Sequence, residues 1–153
     1  MKHQISVAKN IQAPSGFIWE TISLVGGVQH WMPGILDCRM EGRGEGAHRL
    51  CKMEDGWLRE IIESIDHINR IFEYSVHEQK ILPFENFRGK IKIVDQPKNN
   101  CEIIWEGKFE TFPPHPTGIK NIVRQYFIQG MSGMEKLYRE QSEDFLNLIL
   151  AER

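Results

Sequence analysis

The chain has 153 residues, of which 41% are hydrophobic and 26% charged, and its formal net charge is -2. This length and composition predict one globular domain over residues 1–153, and the near-neutral charge gives no electrostatic reason to expect nucleic acid as a partner. No apolar run reaches the length of a membrane span, and the N-terminus lacks the hydrophobic segment of a signal peptide. We therefore predict a cytoplasmic protein without stable membrane insertion.

The first part of the chain predicts one strand followed by two short helices. Residues Gln4 to Ile11 alternate between polar and apolar side chains, as a strand does. Pro14 suits the first position of a helix, which carries apolar residues at 3.6-residue spacing as far as Val25 and ends at a Gly-Gly pair. Val28 to Met32 predicts a second short helix, which a Pro-Gly pair ends.

Six antiparallel strands and a long helix are predicted next, because short alternating runs are separated by turn residues. The strands are Ile35–Glu41, Ala47–Met53, Trp57–Ile65, Ile71–Val76, Asn86–Val94 and Cys101–Phe112. Asp55-Gly56 is a strong hairpin signal. Thr117–Leu150 predicts a C-terminal helix, in which Gly130 and Gly133 need a packing reason. A sheet curled around one long helix either packs a core or encloses a ligand.

The order of these elements resembles the START/Bet v 1-like (SRPBCC) superfamily, and within it the polyketide cyclase/dehydrase-like branch. The resemblance covers nearly the whole chain and rests on the motifs IQAPSGFIWETI, GVQHWMPGILDC, GEGAHR, WLREIIESID, ENFRGKIKI and IIWEGKF. It implies an α+β helix-grip fold, in which a curved antiparallel sheet of about six to seven strands wraps around the long C-terminal helix. It also implies a cavity between sheet and helix that binds an apolar small molecule.

Two ionisable residues fall on strands that also carry apolar residues. In the resemblance, Glu60 matches a glutamate that faces the cavity in plant hormone receptors of the superfamily, and Arg49 matches a cavity-facing arginine on the neighbouring strand. Alternation agrees, because Glu60 shares a strand face with Leu58 and Ile62. A buried carboxylate needs a partner, so we predict an inward-facing Arg49–Glu60 pair that anchors a ligand. A structural ion pair and two solvated charges are the alternatives.

The full set of predicted ligand-binding residues adds aromatic, sulfur-containing, apolar and glycine positions. The set is Trp31, Met32, Arg49, Cys51, Leu58, Glu60, Ile62, Tyr74, Val76, Phe87, Gly89, Trp105, Tyr126, Gly130 and Met134. The alternative is plain core for the aromatic residues, Met32 and Met134, and sheet curvature or close helix packing for the glycines. If the protein is an enzyme, the candidates for proton transfer are Glu60, Arg49, Tyr74 and Tyr126.

Other kinds of site have no support in the sequence. The six histidines and three cysteines show no metal-ligand spacing, and we expect neither a metal nor a cofactor. The odd number and wide spacing of Cys38, Cys51 and Cys101 predict reduced thiols and no disulfide. Gly-x-Ser-x-Gly is absent, and the Gly-rich GRGEG segment lacks the Lys-Ser/Thr of a phosphate loop.

Three functions agree with the resemblance. The first is a carrier or sensor of a hydrophobic small molecule, lipid or polyketide-like, that acts as a monomer or homodimer. The second is a polyketide cyclase/dehydrase-like enzyme that uses the same cavity, and the third is a co-chaperone-like interaction module. A carrier needs affinity without a tuned acid or base, whereas an enzyme needs a group that titrates near its working pH. An interaction module survives having its cavity filled.

Overall fold

The computed structural model describes residues 1–77, 79–114 and 117–151, apart from the side chains of residues 145 and 149. The strands and helices of the fold follow one another along the chain. They are β1 (Lys2–Ile11), α1 (Ser15–Ser23), a single 3-10 turn (Val28–His30), β2 (Asp37–Glu41), β3 (His48–Met53), β4 (Gly56–Asp66), β5 (Ile71–His77), β6 (Glu85–Gln96), β7 (Asn100–Glu110) and α2 (Ile119–Ala151). The second predicted helix is only this 3-10 turn, because few residues lie between Gly27, at a φ of +75°, and Pro33-Gly34.

The seven strands form one antiparallel sheet in the order β1-β7-β6-β5-β4-β3-β2. Strands β2 to β7 pair in chain order, and β1 pairs with β7 along its whole length. The sheet curves around α2, which confirms the predicted helix-grip fold. Register shifts between Ile62 and Ser64 and between Glu85 and Arg88 interrupt the ladder, and such bulges bend strands. Within the described residues, neither helix combines the length and hydropathy needed to cross a bilayer.

The core lies between the concave face of the sheet and one side of α2. Alternate residues of β7 are buried, as the period of two requires, and α2 adds buried residues three or four positions apart. The buried side chains of these two elements include Ile103, Trp105, Phe109, Val123, Phe127, Met131 and Met134. Polar contacts also hold α2 against the start of the fold, since Lys9 Nζ donates a hydrogen bond to Ser132 Oγ at 2.8 Å.

The two glycines of α2 lie where the helix passes closest to other elements. A Cβ atom on Gly133 would lie 1.7 Å from the carbonyl oxygen of Trp31. A Cβ atom on Gly130 would lie 2.8 Å from both Met32 Cε and Trp105 Cζ3. Both glycines therefore permit close packing of the helix, which is the packing alternative considered above.

Candidate ligand-binding site

A cavity of about 110 Å³ lies between the concave face of the sheet, the 3-10 turn and α2. Eleven of the fifteen predicted residues line it: Trp31, Met32, Arg49, Cys51, Leu58, Glu60, Tyr74, Val76, Phe87, Trp105 and Tyr126. The wall is predominantly apolar and aromatic. The structure thus brings most of the predicted set together around one space, and the ligand-binding role of these residues stays a prediction.

The prediction missed a further group of wall residues. These are Ile22, Val28, Pro33, Ile35, Met53, Phe72, Leu82, Phe84, Ile91, Val123 and Phe127. Strand alternation could have found Phe72 and Ile91, which share a strand face with Tyr74 and Phe87 respectively. Helical spacing could have found Val123 and Phe127 on α2. Leu82 lies in the irregular connection between β5 and β6, where the sequence has no periodic pattern.

Four predicted residues do not line the cavity. Ile62 and Met134 point inward but are completely covered by other core side chains. Gly89 lies beneath the ring of Tyr74, since a Cβ atom there would be 2.3 Å from two ring carbons. Gly130 packs against neighbouring side chains, as described above. The physical reason is common to all four, because an inward direction does not give access to the cavity when another side chain fills the intervening space.

The polar end of the cavity is built by Arg49 and Glu60. The two residues are directly opposite in the β3–β4 register and are 6% and 8% exposed. Arg49 Nε donates a hydrogen bond to Glu60 Oε1 at 2.8 Å, and Cys51 Sγ donates to the same oxygen at 3.3 Å. Burial opposes the charge of Arg49, but the Glu60 carboxylate raises the pKa of Arg49 above its usual value. The predicted inward-facing ion pair is present and fully charged on the arginine side.

Arg49 also ties the end of α1 to the site. Its Nη1 donates a hydrogen bond to the carbonyl oxygen of Val25 at 2.9 Å. Val25 has a φ of +70°, which a β-branched residue rarely adopts. The buried guanidinium therefore donates its second hydrogen bond to a strained backbone position, which links the segment just after α1 to the ion pair.

An aromatic group adjoins the ion pair. Trp105 Nε1 donates a hydrogen bond to Tyr74 Oη at 3.1 Å, and the Trp105 ring stacks on Phe127 with centroids 4.6 Å apart. The guanidinium of Arg49 lies 5.7 Å from the centroid of the Tyr74 ring. Burial, and then the charge of Glu60, raise the pKa of Tyr74 above its usual value. Tyr74 is therefore a neutral phenol at neutral pH.

Two of the cysteines meet at the edge of the site. Cys38 is half-buried and directly opposite Cys51 in the β2–β3 register. The neighbouring Cys51 thiol lowers the pKa of the Cys38 thiol against the effect of burial, and the charge of Arg49 contributes in the same direction. All three cysteines are free thiols. In the described part of the chain, no three His, Cys, Asp or Glu side chains are grouped as a metal site would require.

We expect Gly89→Ala to lower the free energy of unfolding by about 1–3 kcal/mol, the usual range for overpacking. The new methyl group would overlap the Tyr74 ring, which the hydrogen bond from Trp105 holds in place. Urea unfolding measures the effect. In a Tyr74→Ala background the same change at Gly89 should cost much less, because the ring is gone. If Gly89→Ala lowered the free energy of unfolding equally in both backgrounds, the Tyr74 ring would not pack directly on Gly89.

These features define a class of protein. A curved antiparallel sheet around a long C-terminal helix, with a largely apolar cavity between them, is the Bet v 1-like helix-grip architecture. The family model described as polyketide cyclase/dehydrase and lipid transport matches residues 2–139. The chain therefore belongs to this family, as its sequence motifs predicted.

Solved structures show the same fold at low sequence identity. The chain is similar to an uncharacterised protein from Bacillus thuringiensis, with a TM-score of 0.78, 18% identity, and coverage of 89% of this chain and 98% of the other. It is similar to norcoclaurine synthase from Thalictrum flavum, with a TM-score of 0.72, 17% identity, and coverage of 90% and 86%. For Ara h 8.0201 the TM-score is 0.76, the identity 16%, and the coverage 92% and 99%. A search of curated proteins found no match.

Proposed function

We propose that the protein binds a hydrophobic small molecule, lipid or polyketide-like, in the cavity between the sheet and α2, as a carrier or sensor. The observation that carries the proposal is the cavity wall itself. It is apolar and aromatic over most of its area, and it contains one buried ion pair. An apolar wall with a few placed polar groups is the usual composition of a small-molecule site.

The volume of the cavity limits what fits without rearrangement. At about 110 Å³ it is smaller than the cavity of about 150 Å³ that is known to hold a benzene-sized molecule. Drug-sized ligands occupy sites of about 300–1,000 Å³. A lipid or polyketide-like ligand therefore requires wall side chains to move. The half-buried Met32, Met53 and Leu82 are suited to this, because they lie where the wall approaches the surface and methionine in particular is flexible.

The ion pair would orient the ligand rather than react with it. The two hydrogen bonds of Arg49 to Glu60 and Val25 use two of its five N–H groups. The remaining N–H groups can donate to a carbonyl or carboxylate oxygen of a ligand. A ligand with one polar end and an apolar body matches this arrangement.

A carrier accounts for the site better than a cyclase/dehydrase-like enzyme does. General acid–base catalysis needs a group whose pKa lies near the working pH and which can reach the substrate. The Glu60 carboxylate already accepts two hydrogen bonds, and the pKa of Tyr74 is raised away from neutrality. Glu60 and Tyr74 both form hydrogen bonds with other residues of the cavity wall. The carrier is therefore preferred among the functions that use the cavity, and an interaction role through the surface is the competing outcome of the titration described next.

We expect an apolar fluorescent probe to bind wild-type protein saturably. Met53→Trp should weaken that binding by about tenfold or more, because a tenfold change in affinity corresponds to about the free energy of burying one apolar side chain. Met53 is a half-buried wall residue, so a larger side chain there would fill the cavity. Lys52→Trp is the matched control, because Lys52 is exposed on the opposite face of the same strand. Circular dichroism checks that both variants are folded.

The outcomes of this titration separate the two functions that use the cavity, carrier and enzyme, from the interaction module. Absence of probe binding to wild-type protein would overturn the carrier proposal and favour the interaction module. Equal binding by Met53→Trp and Lys52→Trp would show that the probe binds elsewhere on the molecule. Native mass spectrometry of the purified protein then identifies any co-purified lipid or aromatic compound directly.

A further inference from the structure

We infer that Cys38 and Cys51 are a redox-active pair that forms a reversible disulfide between β2 and β3 at the edge of the cavity. The two residues are direct partners in the antiparallel register, and both are free thiols, Cys38 half-buried and Cys51 buried. Opposed residues in antiparallel strands have Cα atoms about 4.5–5.5 Å apart, within the range of about 4.4–6.8 Å that disulfides span. The backbone therefore needs little movement to accommodate the bond.

The surroundings of the two sulfurs differ, and the difference assigns their roles. Cys38 is half-buried on the edge strand. The Cys51 thiol lowers the pKa of Cys38, burial opposes this, and the backbone amides of Val28 and Gly27 and the Arg49 guanidinium lower it further. The net effect favours the thiolate, which is the nucleophilic form of cysteine. Cys51 is 1% exposed, and the neighbouring Cys38, its burial and the charge of Glu60 raise its pKa. Cys38 is thus the residue that an oxidant meets first.

A peroxide is the oxidant class that balances the reaction. The Cys38 thiolate attacks one oxygen of hydrogen peroxide, the O–O bond breaks, and the released hydroxide takes up a proton to become water, which leaves a sulfenic acid on Cys38. The Cys51 sulfur then attacks the Cys38 sulfur, the S–S bond forms, and the S–O bond breaks. The departing hydroxide takes the Cys51 proton and leaves as a second water. Two thiols lose two electrons, and the peroxide gains them.

Formation of the bond would alter the polar end of the cavity. In the reduced protein Cys51 has one proton, which it donates to Glu60 Oε1 at 3.3 Å. A disulfide has no S–H group, so Glu60 loses this donor and keeps Arg49. The same bond ties the edge strand β2 to β3. Oxidation therefore changes a wall residue of the cavity without requiring a ligand.

The experiment exposes the full chain, reduced and then freed of reductant, to hydrogen peroxide under native conditions. Remaining thiols are alkylated after denaturation, and peptides are mapped by mass spectrometry without reduction. We expect a peptide linked through Cys38 and Cys51, alkylated Cys101, and full reversal by dithiothreitol. Cys101 is an internal control, because three strands separate β7 from β3 in the sheet.

Two variants make the result specific. Cys101→Ser should form the same linked peptide as wild type, whereas Cys38→Ser should form none. Alkylation of all three thiols after exposure to a peroxide concentration that oxidises dithiothreitol would overturn the inference, as would linkage through Cys101 or between two chains. No ligand is used, so failure of this experiment and failure of the proposed function are distinguishable.

Discussion

Glu60→Ala should lower the free energy of unfolding by about 3–5 kcal/mol, because it leaves a buried guanidinium without its counter-charge. Arg49 is 6% exposed and would retain only the carbonyl of Val25 among its two described hydrogen-bond partners. The carbonyl supplies a dipole but no charge. Urea unfolding at neutral pH, fitted to a two-state transition, measures the difference from wild type.

Two controls test whether the stability lost in Glu60→Ala comes from the burial of the Arg49–Glu60 pair, or would follow the loss of any ion pair. Glu41 and Arg59 form an exposed pair at 2.9 Å, with side chains 57% and 33% exposed, and Glu41→Ala should cost about 0–1 kcal/mol. The double variant Arg49→Met with Glu60→Leu should recover most of the stability lost in Glu60→Ala, because it removes both charges from the interior. A cost for Glu60→Ala no larger than that for Glu41→Ala would show that the Arg49–Glu60 pair is solvated.

Gly133→Ala should destabilise the protein by about 3 kcal/mol or more, at or beyond the upper end of the usual overpacking range. The added Cβ would lie 1.7 Å from the Trp31 carbonyl oxygen, so the helix or the 3-10 turn must move. A backbone oxygen cannot rotate away as the end of a flexible side chain can. In an unobstructed helix the same substitution stabilises by up to about 1 kcal/mol, so the sign of the effect is itself diagnostic.

Gly16→Ala is the matched control for this substitution. Gly16 also lies in a helix, α1, and a Cβ atom there would meet no atom within 4 Å. We expect Gly16→Ala to leave the melting temperature unchanged or to raise it slightly. A Gly133→Ala variant with the melting temperature of wild type would mean that α2 does not pack on Trp31 at the observed distance.

Features that depend on short-range patterns followed from the sequence. The strands were predictable because each alternates over its own length, and α2 was predictable because apolar residues recur at helical spacing over many turns. That Arg49 and Glu60 lie on the two strands of one hairpin belongs to this group as well. Their exact register does not. The two residues between the strands are Glu54 and Asp55, and Met53 is opposite Gly56, whereas a two-residue turn at Asp55-Gly56 would have placed Arg49 opposite Ile62.

Features that depend on packing between distant parts of the chain required the tertiary structure. Strand alternation places Gly89 on the concave face of the sheet whether or not it lines the cavity. Only the position of the Tyr74 ring shows that Gly89 is covered. The closeness of Gly133 to Trp31 depends on how α2 crosses the 3-10 turn. The cavity volume depends in the same way on how the aromatic side chains of the wall interlock, since a core packed at crystal density leaves small spaces that spacing along the chain does not encode.

For the cysteines, too, one property was predictable from the sequence and another required the tertiary structure. Their number and wide separation were visible in the sequence, and the prediction of reduced thiols used nothing else. That Cys38 lies opposite Cys51 depends on the register of β2 against β3, across a Gly-rich connection that has no two-residue turn to set it. Alternation places side chains on a face, whereas the alignment of two strands also depends on the loop between them and on the packing of that face. The sequence by itself therefore determined the order of the elements and the hairpin that carries Arg49 and Glu60, and the tertiary structure decided which residues of paired strands lie opposite one another, Cys38 and Cys51 included.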